Sequence, residues 1–313
     1  MLPVQDLEPV VTLGEGGTPL VELEELGRRL DVKLFIKDES RNPTGSFKAR
    51  GVSAAISRLR ELGWTSLAVP TTGSGGSAWA AVAARAGLRM TVGVAGDQNV
   101  SELAHLEPAG CGAQVQMLSD IGSNPFQAFE AGLAEGTLCV GAFREPYRVE
   151  GEKTLFYEVA EQLGGRAPNV MVWPTGGAVG LVGIAKAYRE LVELGRVGPS
   201  PRLTVVSAQH TSCAPIAVAL RDGTMQVEPA VPNGLAPGVW VGLPAYPDYI
   251  LGRVRASCST TGVTANGTEL LSAIVQAARL DGVSLGPEGG LGLAAFCHFT
   301  SPAKWPQDQR WSV

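Results

Sequence analysis

The chain has 313 residues, 45% of them hydrophobic and 18% charged, enough for a large core and most simply two lobes that share a cleft. Its net charge of -5, with no basic cluster, excludes nucleic acid as a natural partner. No apolar run is long enough to span a bilayer, and the start lacks a basic-then-apolar leader. Five scattered cysteines (Cys111, Cys139, Cys213, Cys258, Cys297) lack metal or redox spacing. Reduced thiols, a cytoplasmic location and no metal are therefore expected, and the three distant histidines are given no catalytic role.

In chain order, β-like apolar runs alternate with helical ones. The pattern predicts strands over 34–37, 66–69, 90–94, 114–118, 138–142, 170–173 and 203–207, with helices between them, for example over 149–163 and 180–194. This alternation predicts a two-lobed α/β fold of mostly parallel sheets covered by helices on both faces. Residues 50–143 carry their own strands and helices and form the expected smaller lobe, with 1–49 and 144–313 as the larger one. The Gly- and Pro-rich stretch 229–261 reads as an irregular surface excursion, at the cleft mouth or in a dimer contact. The last residues, 300–313, have no period-2 pattern and do not read as a core strand.

Four strand-to-helix junctions carry the chemistry. In Thr44-Gly45-Ser46-Phe47-Lys48-Ala49-Arg50-Gly51 a lysine opens a helix whose apolar face is Val52, Ala55, Ile56, Leu59 and Leu62. An amine beside a buried helix start loses its proton readily and attacks a carbonyl carbon; a lysine without such surroundings would be an ordinary surface cation. Pro70-Thr71-Thr72-Gly73-Ser74-Gly75-Gly76-Ser77 offers N–H groups and small hydroxyls, suited to a carboxylate. Pro174-Thr175-Gly176-Gly177-Ala178-Val179-Gly180 matches neither a P-loop nor a dinucleotide fingerprint and reads as a cradle for one phosphoester. Gly286-Pro287-Glu288-Gly289-Gly290 places a carboxylate at a further helix start, where a capping role is the plain alternative. In an open α/β sheet such junctions converge on one cleft.

These residues resemble the fold-type-II pyridoxal-phosphate enzymes, and within them the threonine synthase-like group. The resemblance runs from Gly17-Thr18-Pro19-Leu20 to about Phe296 and is most specific at 42–51 and at Arg148-Val149-Glu150-Gly151-Glu152-Lys153-Thr154. It implies a tryptophan synthase β-like fold, pyridoxal 5'-phosphate as cofactor, a small amino acid as substrate and a homodimer. Lys48 would carry the cofactor and move the substrate's α-proton. Gly176, Gly177, Ala178, Val179 and Gly180 would hold its phosphate. Ser74 stands where the family has an Asn that donates to the ring oxygen. Thr71, Thr72 and Gly75 would hold the substrate carboxylate, with Arg50, Lys37 and Lys153 as candidate donors to a substrate phosphate or, equally, solvated or paired charges. Val179 departs from the family's smaller residues in the phosphate loop, and the altered end lacks the family's final strand.

The implied reaction is that of a threonine synthase-like lyase: loss of a γ-phosphate and addition of water. Serine/threonine dehydration or β-replacement is the alternative, and a degenerate, non-catalytic relative is the alternative of another class.

Overall fold

The computed structural model describes residues 3–5, 10–94, 103–118, 125–198 and 203–300. Strands β1 (Leu20–Glu22) and β2 (Phe35–Lys37) pair antiparallel on either side of α1 (Glu24–Leu30). Two 3-10 turns, Glu39–Arg41 and Pro43–Gly45, then deliver the chain into α2 (Lys48–Glu61). Val52, Ala55, Ile56 and Leu59 of α2 are buried as their spacing predicts, but Leu62 caps the helix and is 49% exposed.

Next come β3 (Ser66–Thr71), α3 (Ser74–Ala86), β4 (Arg89–Val94), α4 (Leu103–Gly110), β5 (Gln114–Met117), α5 (Pro125–Ala131) and β6 (Leu138–Cys139). The four strands form one parallel sheet in the order β5-β4-β3-β6. Val52 and Ile56 of α2 and Trp79 and Val82 of α3 bury against its Leu67, Val69 and Val92. The sheet's connections place helices over its faces, as parallel strands require.

After α6 (Tyr147–Glu152) and α7 (Thr154–Gln162) follow β7 (Val170–Pro174), α8 (Val179–Glu193), β8 (Thr204–His210), α9 (Pro215–Asp222), α10 (Pro247–Ser257), β9 (Ser259–Ala265), α11 (Gly267–Asp281) and α12 (Pro287–Thr300). A second parallel sheet has the order β7-β8-β9. Phe156, Leu181, Ile184, Leu203 and Ile250 fill the core on one of its sides, and Leu270, Leu291 and Ala294 belong to another buried cluster.

Two expectations are corrected. The helix expected over 149–163 is two helices, because Thr154 Oγ1 donates to the Gly151 carbonyl (2.7 Å), a local bond that competes with the helical ladder. The stretch 229–261 is not all irregular: Pro247 starts α10, whose Ile250, Leu251 and Val254 are buried, and β9 begins at Ser259. That strand reads Ser-Thr-Thr-Gly-Val-Thr-Ala, too polar for a hydrophobic pattern to reveal. At the C-terminus α12 continues through Thr300, and the rest of the tail, 301–313, lies outside the described residues. Among the described residues no helix is long and apolar enough to cross a membrane, and no cluster of metal-ligating side chains occurs.

Candidate active site

Lys48 is the first residue of α2, and the turn before it is held in a costly conformation. Thr44 has φ 60°, unusual for a β-branched residue, and is followed by Gly45 at φ 63°. What over-determines the turn is a polar lattice behind it. Asn42 Nδ2 donates to Glu39, and the Glu39 carboxylate accepts from Arg50 Nε (2.7 Å) and Nη2 (2.9 Å). Ser46 does not act as a helix N-cap; Phe47 occupies that position, and Ser46 Oγ accepts the N–H of Lys48 (3.3 Å).

The half-buried Lys48 donates from Nζ to Ser74 Oγ (3.0 Å), which ties the start of α2 to the loop between β3 and α3. Burial holds the Lys48 ammonium below the ordinary lysine value. The Glu152 carboxylate pulls it back up, Arg148 depresses it further, and Glu288 opposes. A lysine in these surroundings yields a neutral, nucleophilic amine more readily than a surface lysine does. In the same loop Thr71 spends its hydroxyl locally: Oγ1 donates to the Gly73 carbonyl and accepts the N–H groups of Gly73 and Gly76. The N–H groups of Thr72, Ser74 and Gly75 take no acceptor among the described residues. Thr71 therefore shapes the loop, while its neighbours present free donors.

The second loop sits beside the first through Phe47, whose ring packs edge-on against Trp173 with centroids 4.9 Å apart. A Cβ at Gly180 would lie 2.3 Å from Trp173 Cζ2 and 3.2 Å from Phe47 Cε2, so only glycine fits. Thr175 anchors the loop from below. Its N–H bonds Ala208 O, its hydroxyl donates to Trp173 O and accepts from Ser207, and Gln209 Nε2 donates to its carbonyl. Above it, the successive N–H groups of 176–180 have no acceptor among the described residues. The left-handed residue is Ala178 (φ 63°), not Val179, which is already helical. The departure expected at Val179 thus falls one residue earlier, as about 1–2 kcal/mol of backbone strain at Ala178. Five unanswered donors at the start of α8 form a cradle that fits one phosphate. The fourth junction closes the ring: Glu288 Oε1 accepts the N–H of Gly238 (2.8 Å), and the adjacent Val239 lies against Gly176.

Arg50, Lys37 and Lys153, the cations expected to receive a substrate phosphate, are engaged elsewhere. The N–H groups of Arg50 all reach acceptors on Glu39, Glu158, Thr18 and Thr154. Lys37 Nζ donates to Thr18 O, Glu158 and Gln162, and Lys153 Nζ to Glu150 and Glu190. Arg50 therefore supports the turn before Lys48 and has no donor left for a substrate.

Sequence reasoning missed a cluster beside Lys48, having singled out 148–154 only for its family resemblance and for Lys153. Helices α2 and α6 touch through glycines: a Cβ at Gly51 would lie 2.7 Å from Glu152 Cγ, and one at Gly151 would lie 2.1 Å from Arg50 O. One turn along α2 from Lys48, this brings in Glu152 and Arg148, which pair at 2.9 Å, and Glu145 at the head of α6. Burial raises Glu152 and lifts Glu145 to about 7, although Arg148 opposes both shifts. The available signal was Arg148 and Glu152 at i,i+4, which places both on one face of a helix.

A half-buried lysine held below its ordinary pKa stands between two loops rich in unanswered N–H donors, an arrangement able to receive a phosphorylated aldehyde and an amino acid together. The family model for pyridoxal-phosphate dependent enzymes matches residues 11–312, and the chain belongs to that family. It is 32% identical over 297 residues to the threonine synthase of Methanosarcina acetivorans, covering 94% of this chain and 72% of that one. With the threonine synthase of Halalkalibacterium halodurans the identity is 31%, over 91% and 77% of the two chains. In fold it is similar to maize serine racemase (TM-score 0.76, 21% identity, 92% and 85% covered). It is also similar to the processed form of threonine deaminase isoform 2 from Solanum lycopersicum (TM-score 0.75, 20% identity, 93% and 80% covered). The chain is thus a fold-type-II, pyridoxal-phosphate dependent enzyme.

Proposed function

We propose that this enzyme is a lyase that removes a substituent from the side chain of an amino acid, with Lys48 as the cofactor-bearing and proton-moving residue. The observation that carries the reading is Lys48 itself: half-buried, depressed in pKa, and bonded to Ser74 between the two donor-rich loops. Pyridoxal phosphate, when bound, supplies an aldehyde carbon for amines and a ring that accepts electrons from the substrate's α-carbon. The residues do the rest. The N–H groups of Gly176, Gly177, Ala178, Val179 and Gly180 hold the phosphate, and those of Thr72, Ser74 and Gly75 receive the substrate carboxylate. Lys48 Nζ takes the α-proton, and Phe47 and Trp173 keep water from it. The smaller lobe, 50–143, and the larger one, 1–49 with 144–313, meet at this site; each parallel sheet lying in one of these segments supports the division.

Borohydride reduction of the holoenzyme followed by peptide mass analysis is expected to find the pyridoxyl group on Lys48. Label on Lys37 or Lys153, or none, overturns the reading. Gly177→Leu, by crowding the cradle, is expected to weaken cofactor retention at least tenfold, about 1.4 kcal/mol or more, while the protein still folds. Retention equal to wild type would remove the cradle from the account.

Two leaving groups are chemically open. The similarity to threonine synthases favours a γ-phosphate with water added afterwards. The engagement of Arg50, Lys37 and Lys153 in internal ion pairs favours a neutral β-substituent, as in dehydration.

A further inference from the structure

We infer that Glu145 and Glu152 are specificity-determining residues: with Arg148 they form a subsite beside Lys48, without surplus positive charge, that admits a hydroxyl-bearing amino-acid side chain and turns away a phosphate monoester. The inference rests on Lys48 being the site of reaction, as proposed above.

The place comes from helix packing. Because the backbones of α2 and α6 meet at Gly51 and Gly151, Glu152 lies against α2 one turn from Lys48. Arg148 precedes Glu152 by one turn of α6, and Glu145 stands at that helix's head, accepting the N–H groups of Tyr147 (2.8 Å) and Arg148 (3.0 Å) through Oε2. All three residues are at least nine-tenths buried: Glu145 is 5% exposed, Arg148 9% and Glu152 1%.

The chemistry comes from what they leave unanswered. Glu145 Oε1, Arg148 Nε and Glu152 Oε2 are buried and have no partner among the described residues. Buried polar atoms are ordinarily paired, so two lone carboxylate oxygens and one lone guanidinium N–H in one cluster mark a ligand position. A hydroxyl answers both kinds at once, accepting from Arg148 Nε and donating to a carboxylate. A fully ionised phosphate monoester only accepts, and it meets two carboxyl groups. Arg148 brings no surplus positive charge, since Glu152 already takes its Nη2 at 2.9 Å. The three other cations a phosphate could have used are held by Glu39, Glu150, Glu158 and Glu190.

The test is calorimetric titration of the holoenzyme with L-serine and with O-phospho-L-serine. Wild type is expected to bind L-serine at least tenfold more tightly. In Glu152→Gln, whose amide oxygen still accepts from Arg148, the preference is expected to shrink about fivefold or more, chiefly through tighter binding of O-phospho-L-serine. Glu145→Gln carries the same expectation should the first variant not fold. Equal or tighter binding of O-phospho-L-serine by wild type, binding of neither compound, or an unchanged preference in the folded variants overturns the inference. The pyridoxyl label on Lys48 separates the two claims. Label present with an inverted preference sinks the subsite alone, whereas label absent sinks the lysine assignment and the subsite with it.

Discussion

Two buried guanidinium groups flank the start of α2, and they differ in how completely their surroundings answer them. Arg50 has an acceptor for every N–H, its carboxylate partners Glu39 and Glu158 are each shared with other donors, and Glu158 falls to about 2 despite burial because Arg50 and Lys37 bond it. Arg148 has one carboxylate partner, an idle Nε, and neighbouring glutamates whose pKa values rise with burial. Both are clusters of arginine and glutamate: Arg50 of α2 with Glu39 and with Glu158 of α7, and Arg148 with Glu152 on α6 and Glu145 at its head. The first is a closed network that fixes the turn carrying Lys48; the second is open and has chemistry left to do. Saturation, not burial or charge, separates scaffold from site.

The largest expected effect tests that contrast directly. Arg50→Met leaves Glu39 without a cation and Glu158 with Lys37 alone, which costs about 3–5 kcal/mol of stability. Arg148→Met leaves glutamates that already accept protons readily, and the expected cost is only about 1–2 kcal/mol, with the larger change in amino-acid binding. Urea unfolding of the two variants measures both. Equal losses would mean that the two clusters are equally structural.

The two clusters are also expected to respond to pH with opposite signs. Glu158 titrates lower in the folded chain (about 2) than its ordinary 4.5, so its contribution is present above about pH 4.5 and is lost as pH falls towards 2. Glu145 titrates higher (about 7 against 4.5), so the folded chain binds the extra proton in between; its contribution is present below about pH 4.5 and is lost as pH rises through 7. Each is worth up to about 3 kcal/mol. Wild type is expected to lose stability from about pH 5 to about pH 8, and Glu145→Gln to flatten that slope. A slope unchanged in the variant would assign it to another group.

Most of the scaffold around this contrast was legible in the sequence because it is carried by local signals. Apolar runs ending in Gly- and Ser-rich turns marked the junctions at Lys48, at 70–77 and at 174–180, and the structure brings all three together through Ser74, Phe47 and Trp173. The closed network was only half legible: pairing was one of the readings open for Arg50, Lys37 and Lys153, but a lone cation in a sequence does not disclose that Glu39, Glu158 or Glu190 will meet it across the fold. The open cluster was hidden for the same reason: it depends on two helices crossing at Gly51 and Gly151, a hundred residues apart in sequence. Strand β9 escaped because its threonines carry no hydrophobic alternation, and the strain at Ala178 because dihedral angles are set by the anchoring of Thr175 below.

The smallest expected effect separates a satisfied cation from a ligand-binding one. Lys37 Nζ makes three bonds, to Thr18 O (2.6 Å), Glu158 Oε2 (2.8 Å) and Gln162 Oε1 (2.9 Å), and its side chain is 8% exposed. Removing the ammonium in Lys37→Met leaves Glu158 still bonded by Arg50 Nη1 and Nη2, and Gln162 still donating to Thr18 O. No carboxylate is stranded, so the cost is that of one partly shielded pair, about 1 kcal/mol. The methionine keeps most of the buried stem's packing, which holds the loss near that value. Because nothing in this network faces the unanswered atoms beside Lys48, binding of L-serine and of O-phospho-L-serine is expected to stay within about twofold of wild type. A selective loss of O-phospho-L-serine binding in Lys37→Met would return Lys37 to the role of anion receptor, and the division between a closed Arg50 network and an open Arg148 cluster would fail.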